Sequence, residues 1–230
     1  MSSEMRVLVE KKEGLIESKN DKTYYEIHTP CNNFDDSAPI ILLAGGPGLS
    51  FTTLTPLFNL AERRQVIGYD QLGSGKTTRS GHFSSLHIKD FMEQFNAIVS
   101  ELALNKFHLL GHSWGTILGA NIALEYPDKT KSLILHSGIA HWQKCLEERE
   151  TFEKAHLPDE LQQFMKIVRE GYKPSSKEME KFTNKCNRLF YCRVEYPDYL
   201  LQALEDCSIP LTIHISKKNC VPSSCWGLSC

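Results

Sequence analysis

The feature that most constrains the fold of this chain is the pentapeptide Gly111-His112-Ser113-Trp114-Gly115, which has the form G-x-S-x-G. The strand-like run 107–110 precedes it, and the apolar segment 116–126 follows it. A serine between a strand and a helix occupies a strained turn, which needs small residues two positions away on each side because strand and helix nearly touch. The pattern therefore predicts a strand, a tight turn and a helix, with the Ser113 hydroxyl raised out of the sheet.

The surrounding sequence alternates between short apolar strands and helical patterns. Strands are predicted at 40–43, 65–69, 107–110 and 133–136, with helices at 52–63, 86–104 and 114–126 between them. This alternation is typical of an α/β fold with a mainly parallel sheet. After Gly138 the pattern changes, because residues 142–206 contain helical patterns and no clear strand.

Composition excludes several classes of function. The net charge of −2 provides no basic field for nucleic acid, and no Lys/Arg cluster indicates a membrane surface. No signal peptide is visible, and no run approaches the ~20 apolar residues that span a bilayer, so we expect a cytoplasmic protein. The eight cysteines are then expected to be free thiols. The spacing of Cys220, Cys225 and Cys230 matches no usual zinc site, and we expect neither metal nor cofactor.

Two further motifs follow the predicted strands. Gly45-Gly46-Pro47-Gly48 comes after the strand at 40–43, where glycines allow a tight loop. The segment 70–77 ends in Gly-Ser-Gly-Lys-Thr, like a phosphate-binding loop, but that motif needs a glycine where this chain has Asp70. We therefore do not predict a nucleotide site there.

Together, in this order and spacing, the motifs resemble the proline iminopeptidase family of α/β-hydrolase serine peptidases. That family has H-G-G-P-G, D-Q-R-G-x-G and G-G-S-W-G or G-H-S-W-G, each after a core strand. The resemblance covers roughly residues 10–205, with two departures, Ala44 for the family histidine and Leu72 for its arginine. It implies an α/β-hydrolase core at 1–140 and a helical cap at 141–207, while residues 208–230 form a divergent tail.

The resemblance also implies roles for individual residues. Ser113 would be the nucleophile, and the backbone N–H groups of Gly46 and Trp114 would form the oxyanion hole. Glu195 lies in the cap region, where acidic residues of this family receive the free amine of the substrate. Such enzymes release an N-terminal residue, often proline, from short peptides.

The acid and the base of a catalytic triad are not evident after Ser113. Histidines follow the serine at four positions, His136, His141, His156 and His214. Asp206 and His214 have the right order, but only seven residues lie between them, too few for a strand and a helix. We therefore expect the last core strands, with the acid and the base, to be missing from this chain.

Three functions remain open at this point. The first is a serine aminopeptidase of the proline iminopeptidase type, although we expect little or no turnover from the 230-residue chain. The second is a catalytically inactive α/β-hydrolase that at most binds peptides or a partner. The third is an esterase on the same fold.

Overall fold

The computed structural model describes residues 7–18, 21–31, 37–79, 86–138 and 142–205. The strands are β1 (Val9–Glu17), β2 (Asp21–Pro30), β3 (Ile40–Leu43), β4 (Val66–Tyr69), β5 (Thr78–Arg79), β6 (Phe107–His112) and β7 (Thr130–His136). The α-helices are α1 (Ile88–Glu101), α2 (Trp114–Glu125), α3 (Trp142–His156), α4 (Asp159–Arg169), α5 (Ser176–Cys186) and α6 (Asp198–Glu205). A 3₁₀ helix spans Phe51–Glu62, and a π-helical segment spans Asn187–Tyr191.

The strands form one mixed sheet in the order β1-β2-β4-β3-β6-β7, with β5 paired to β2. Strands β4, β3, β6 and β7 run parallel to one another, whereas β2 pairs antiparallel with β1, β4 and β5. Parallel strands need crossover connections, which the 3₁₀ helix, α1 and α2 help to provide. The predicted α/β fold with a parallel core is confirmed.

Strand β3 shows why the parallel strands are continuously apolar. Ile41 and Leu43 point into the hydrophobic cluster that includes α1 and α2, while Ile40 and Leu42 point into the cluster on the opposite face with the 3₁₀ helix. Successive side chains of a strand alternate between faces, so a strand covered on both sides must be apolar at every position. This double cover fixes the carboxyl end of β3, where the glycine loop begins.

Three local features differ from the sequence prediction. The segment predicted as a helix at 52–63 is a 3₁₀ helix that contains Pro56. Helix α1 starts after His87, whose backbone N–H donates to Asp90 Oδ2 at 2.7 Å, and it is therefore shorter than the helix predicted at 86–104. Within the helical patterns predicted for 142–206, the segment that begins as α5 changes to π geometry after Cys186.

The chain divides into two compact units. Of the described residues, those up to Gly138 and those at 197–205 belong to one unit, and those at 142–196 belong to the other. Helix α6 packs against the 3₁₀ helix within the first unit, through the buried Leu200 and Ala203. In the helical unit, Phe164 stacks on Phe182 with ring centroids 4.9 Å apart. The core, cap and tail boundaries predicted from the sequence stay a prediction.

Among the described strands, β7 is the edge next to β6. Its sequence is that of a central strand, yet Ile134 is 45% exposed and Leu135 is 58% exposed. These two side chains point to opposite faces, because they are adjacent in a strand. The part of the sheet described here therefore leaves apolar surface uncovered on both faces of β7.

None of the described helices combines the length and the apolar composition that crossing a bilayer requires.

Candidate active site

Ser113 occupies the turn between β6 and α2 in an uncommon backbone conformation. Its φ is +53° and its ψ is −116°, a region that residues with a Cβ rarely adopt. The Ser113 carbonyl accepts hydrogen bonds from the backbone N–H and the hydroxyl of Thr116, and its own N–H donates to the His136 carbonyl at 3.0 Å. The strained strand-turn-helix predicted from the pentapeptide is confirmed.

The two glycines of the pentapeptide are needed for close approach of the backbone. A Cβ on Gly111 would lie 2.2 Å from the Gly115 carbonyl oxygen, and a Cβ on Gly115 would lie 2.0 Å from the Leu43 carbonyl oxygen. Real Cβ contacts do not reach such distances. Strand β3, strand β6 and the first turn of α2 therefore touch directly at the serine.

The glycine loop after β3 lies beside the serine. A Cβ on Gly45 would lie 3.2 Å from Ser113 Cβ and 3.1 Å from His112 Nδ1. Gly46 has a φ of +111°, and a Cβ there would lie 2.6 Å from the Gly48 nitrogen. The loop that carries Gly46 and the helix start that carries Trp114 are thus both neighbours of Ser113.

A buried glutamine bridges these two neighbours. Gln71 Nε2 donates to the Ala44 carbonyl at 2.9 Å, and Gln71 Oε1 accepts from Trp114 Nε1 at 3.0 Å. The indole of Trp114 is 5% exposed and makes an edge contact with Phe91, with ring centroids 5.6 Å apart. Its orientation is therefore set by a hydrogen bond at one edge and by aromatic packing.

The segment that resembles a phosphate loop is wrapped around the carboxylate of Asp70. Asp70 Oδ2 accepts from the Lys76 backbone N–H at 2.8 Å, and Oδ1 accepts from the Phe51 N–H at 3.3 Å. Gly75 passes so close that a Cβ there would lie 2.1 Å from Asp70 Oδ2. The Lys76 ammonium lies 4.3 Å from the centre of the Tyr24 ring. The backbone N–H of Lys76 is thus bonded to the Asp70 carboxylate, the place that a phosphate would take in a phosphate-binding loop.

Two histidines flank the serine at the ends of β6 and β7. The rings of His112 and His136 have centroids 5.2 Å apart, and His112 Nδ1 is buried without a hydrogen-bond partner among the described residues. Burial, and next the His136 ring, hold the pKa of His112 below its usual value of 6.5. Neutral His112 is therefore the favoured form in the folded chain at neutral pH.

The depressed pKa of His112 predicts a pH-dependent stability. The unfolded chain binds this proton at a higher pH than the folded chain, so the free energy of unfolding should fall as pH drops below 6.5. In His112→Gln we expect a smaller loss of stability between pH 7 and pH 5, measured by urea unfolding at each pH. An unchanged pH dependence in this variant would contradict the assignment.

His108 is a useful comparison for that experiment. Its pKa is also lowered, first by burial and then by the charges of Arg64 and Lys131. His108→Gln should therefore also reduce the loss of stability between pH 7 and pH 5. In the double variant, the free energy of unfolding should change less with pH than in either single variant.

No described candidate for the acid or the base is hydrogen bonded to the Ser113 hydroxyl. Within the described ranges, the Ser113 hydroxyl makes no hydrogen bond to another side chain. His156 lies at the end of α3, where its Nδ1 contacts the Phe152 carbonyl at 3.0 Å. His141, Asp206 and His214 lie outside the described residues.

Glu195 belongs to the helical unit and lies exposed in the segment before α6. Its expected contact with a substrate amine stays a prediction. In the part of the chain that the structure describes, no three His, Cys, Asp or Glu side chains lie close enough together to share a metal ion.

The geometry can be compared with known proteins. The model of the α/β-hydrolase fold family matches residues 38–172, which is more than half of the chain. The chain belongs to the α/β-hydrolase fold family. This α/β-hydrolase is 32% identical over 197 residues to a proline iminopeptidase of Heyndrickxia coagulans. The matched region covers 83% of this chain and 65% of the relative. It is 34% identical over 174 residues to a proline iminopeptidase of Clostridium botulinum, and this match covers 74% of the chain and 57% of the relative.

Solved structures give the same family resemblance. The crystal structure of proline iminopeptidase from Mycobacterium smegmatis has a TM-score of 0.78 and 25% identity to this α/β-hydrolase, covering 88% of this chain and 69% of that one. The crystal structure of VinJ, with a TM-score of 0.76 and 22% identity, shares the fold. The resemblance drawn from the motifs is confirmed. The chain spans 65% and 57% of the two curated relatives above.

The sequence patterns do not reveal the contacts of Asp70 and Gln71. Asp70 stands where a phosphate-binding loop would have a glycine, and Gln71 matches the second position of the family motif D-Q-R-G-x-G. Both are almost fully buried, at 2% and 1% exposed. The signal available in the sequence was an acid and an amide that directly follow an apolar strand and precede two glycines. Polar side chains at such a position are expected to be buried, and buried polar groups need fixed hydrogen-bond partners.

Proposed function

We propose that this α/β-hydrolase carries the nucleophile and the oxyanion hole of a serine aminopeptidase. Its substrates would be short peptides from which it releases the N-terminal residue, with proline preferred. The similarity to proteins named proline iminopeptidase supports this proposal. The observation that carries it is the strained turn at Ser113, with the glycine loop packed beside the serine.

The proposed chemistry assigns one role to each neighbour of the substrate carbonyl. Ser113 Oγ would add to the carbonyl carbon of the first residue, its proton passing to a general base for which the described residues offer no bonded candidate. The carbonyl oxygen would become an oxyanion that accepts hydrogen bonds from the N–H groups of Gly46 and Trp114, and collapse of this intermediate would expel the rest of the peptide as its protonated amine. Trp114 is the first residue of α2, where amides have no intrahelical acceptor and the helix dipole favours negative charge. From the family resemblance alone, Glu195 is our proposed partner for the free amine of the substrate.

The test uses the purified chain and a fluorophosphonate probe that reacts with activated serines. We expect covalent labelling at Ser113, identified by peptide mass spectrometry, and no labelling of Ser113→Ala. The same pair is assayed with a proline–chromophore amide, where we expect little release, and any release should depend on Ser113. Equal labelling or equal release in both proteins would contradict the proposal.

A second candidate is a protein that binds peptides without cleaving them. It is favoured by one observation: in the described ranges, no side chain is hydrogen bonded to the Ser113 hydroxyl as a general base would be. This candidate predicts peptide binding by calorimetry with no labelling of Ser113. An esterase would instead be labelled and would cleave an acetyl ester in preference to the proline amide.

A further inference from the structure

We propose that Gln71 is a positioning residue that holds the two halves of the oxyanion hole at a fixed separation. The inference rests on the proposed function, because it takes Gly46 and Trp114 as the oxyanion donors. Gln71 itself does not touch the reacting atoms. It acts through the loop that follows β3 and through the first residue of α2.

The side-chain amide of Gln71 makes one hydrogen bond to each half. Its NH₂ group donates to the carbonyl of Ala44, two residues before Gly46, at 2.9 Å. Its carbonyl oxygen accepts from the indole of Trp114 at 3.0 Å. The two segments are remote in sequence, and this one amide group bonds to both. A shift of either segment would therefore lengthen a buried hydrogen bond.

The position of Gln71 is itself fixed by the loop around Asp70. The Gln71 carbonyl accepts from both the backbone N–H and the hydroxyl of Ser74, at 3.0 and 2.9 Å. Gln71 is 1% exposed, so water does not compete for its amide group. Few side chains other than an amide can supply one donor and one acceptor at this reach, and a buried carboxylate would repel the Ala44 carbonyl.

The separation matters because oxyanion donors act only within a narrow range of distance. Removing one such donor typically lowers kcat by roughly 10²–10³-fold. A misplaced donor loses part of that effect, so loss of Gln71 should slow attack by Ser113 while leaving reversible binding nearly unchanged.

The experiment compares Gln71→Met with Gln94→Met as a matched control. Gln94 is also buried, at 3% exposed; its amide accepts from the Leu72 N–H and donates to the Thr23 hydroxyl and the Asp70 carbonyl. Both substitutions remove a buried amide of the same size near the same loop. None of the three bond partners of Gln94 belongs to the glycine loop or to the start of α2. Two of them flank Gln71, so Gln94→Met also controls for a general disturbance of the loop that carries Gln71.

Three quantities are measured for each full-length variant. They are the maximal rate of Ser113 phosphonylation, the concentration of probe at half-maximal rate, and the melting temperature. For Gln71→Met we expect the maximal rate to fall at least about 10-fold, with the half-maximal concentration unchanged, as expected for a weakened oxyanion hole. The maximal rate of Gln94→Met should stay within about twofold of the wild-type rate. Because both variants lose buried hydrogen bonds, their melting temperatures should fall by similar amounts.

A second variant shows whether the effect passes through the indole. Trp114→Phe keeps an aromatic ring against Phe91 and removes the N–H that Gln71 accepts. We expect the rate effects of Gln71→Met and Trp114→Phe to be non-additive in the double variant, as for residues in one hydrogen-bond network.

The outcomes separate the two proposals. Normal phosphonylation of Gln71→Met, or an equal decrease of the rate in Gln94→Met, would overturn the role of Gln71. The proposed function would still stand in that case, because the wild type is labelled at Ser113. Absence of Ser113-dependent labelling in the wild type overturns the proposed function, and with it the role of Gln71 in an oxyanion hole.

Discussion

Gly115→Ala is expected to destabilise the chain by about 3–5 kcal/mol, at the upper end of the range for single substitutions. The added methyl group would lie 2.0 Å from the Leu43 carbonyl oxygen and 2.8 Å from the Ala44 carbonyl oxygen. Both atoms belong to backbone at the carboxyl end of β3, which is buried on both faces and cannot move independently. Urea unfolding monitored by circular dichroism measures the loss.

Gly119→Ala is the matched control on the same helix. A methyl group there would lie 3.0 and 3.2 Å from the terminal Cδ1 atoms of Leu133 and Leu43, which can rotate away. Alanine also raises helix propensity by about 1 kcal/mol relative to glycine inside a helix. We expect Gly119→Ala to remain within about 1 kcal/mol of the wild type. Equal destabilisation by the two substitutions would contradict the direct contact of α2 with β3.

Asp70→Ala is expected to have the second large effect, about 2–5 kcal/mol, because each buried donor left without an acceptor costs about 1–3 kcal/mol. The substitution removes the acceptor of the Phe51 and Lys76 backbone amides. These amides lie at the start of the 3₁₀ helix and in the loop before β5. Loss of the carboxylate should therefore loosen two segments together, which amide hydrogen exchange and urea unfolding can measure.

Asp90→Ala provides the comparison for Asp70. Asp90 also accepts a backbone N–H, that of His87, but this bond is exposed to water at the start of α1. Loss of an exposed helix cap costs about 0.5–2 kcal/mol. If both substitutions cost the same, burial of the Asp70 carboxylate would not be the reason for its effect.

Much of the fold follows from local sequence patterns. The continuous apolar strand at Ile40–Leu43, the amphipathic pattern of α1 and the pentapeptide around Ser113 each specify their own element. Their order is enough to predict an α/β fold with the serine between β6 and α2. The helical patterns predicted for 142–206 likewise include α6.

The features that sequence could not predict depend on contacts between distant residues. Gln71 bonds to Ala44 and Trp114, which lie 27 and 43 residues away in sequence. No local periodicity records such a pairing. The 3₁₀ geometry of 51–62 also reflects context, since Phe51, Leu54 and Phe58 fit against the sheet while Pro56 lacks an N–H to donate.

The hydrogen bond from the Ser113 N–H to the His136 carbonyl connects the serine of the turn to the last residue of β7. Among the described strands β7 is an outer strand, and strands with few neighbours tend to open locally at low free energy. Opening of β7 at His136 would release the amide of Ser113. We therefore expect hydrogen exchange of the Ser113 amide to follow local opening of β7 and not unfolding of the whole sheet.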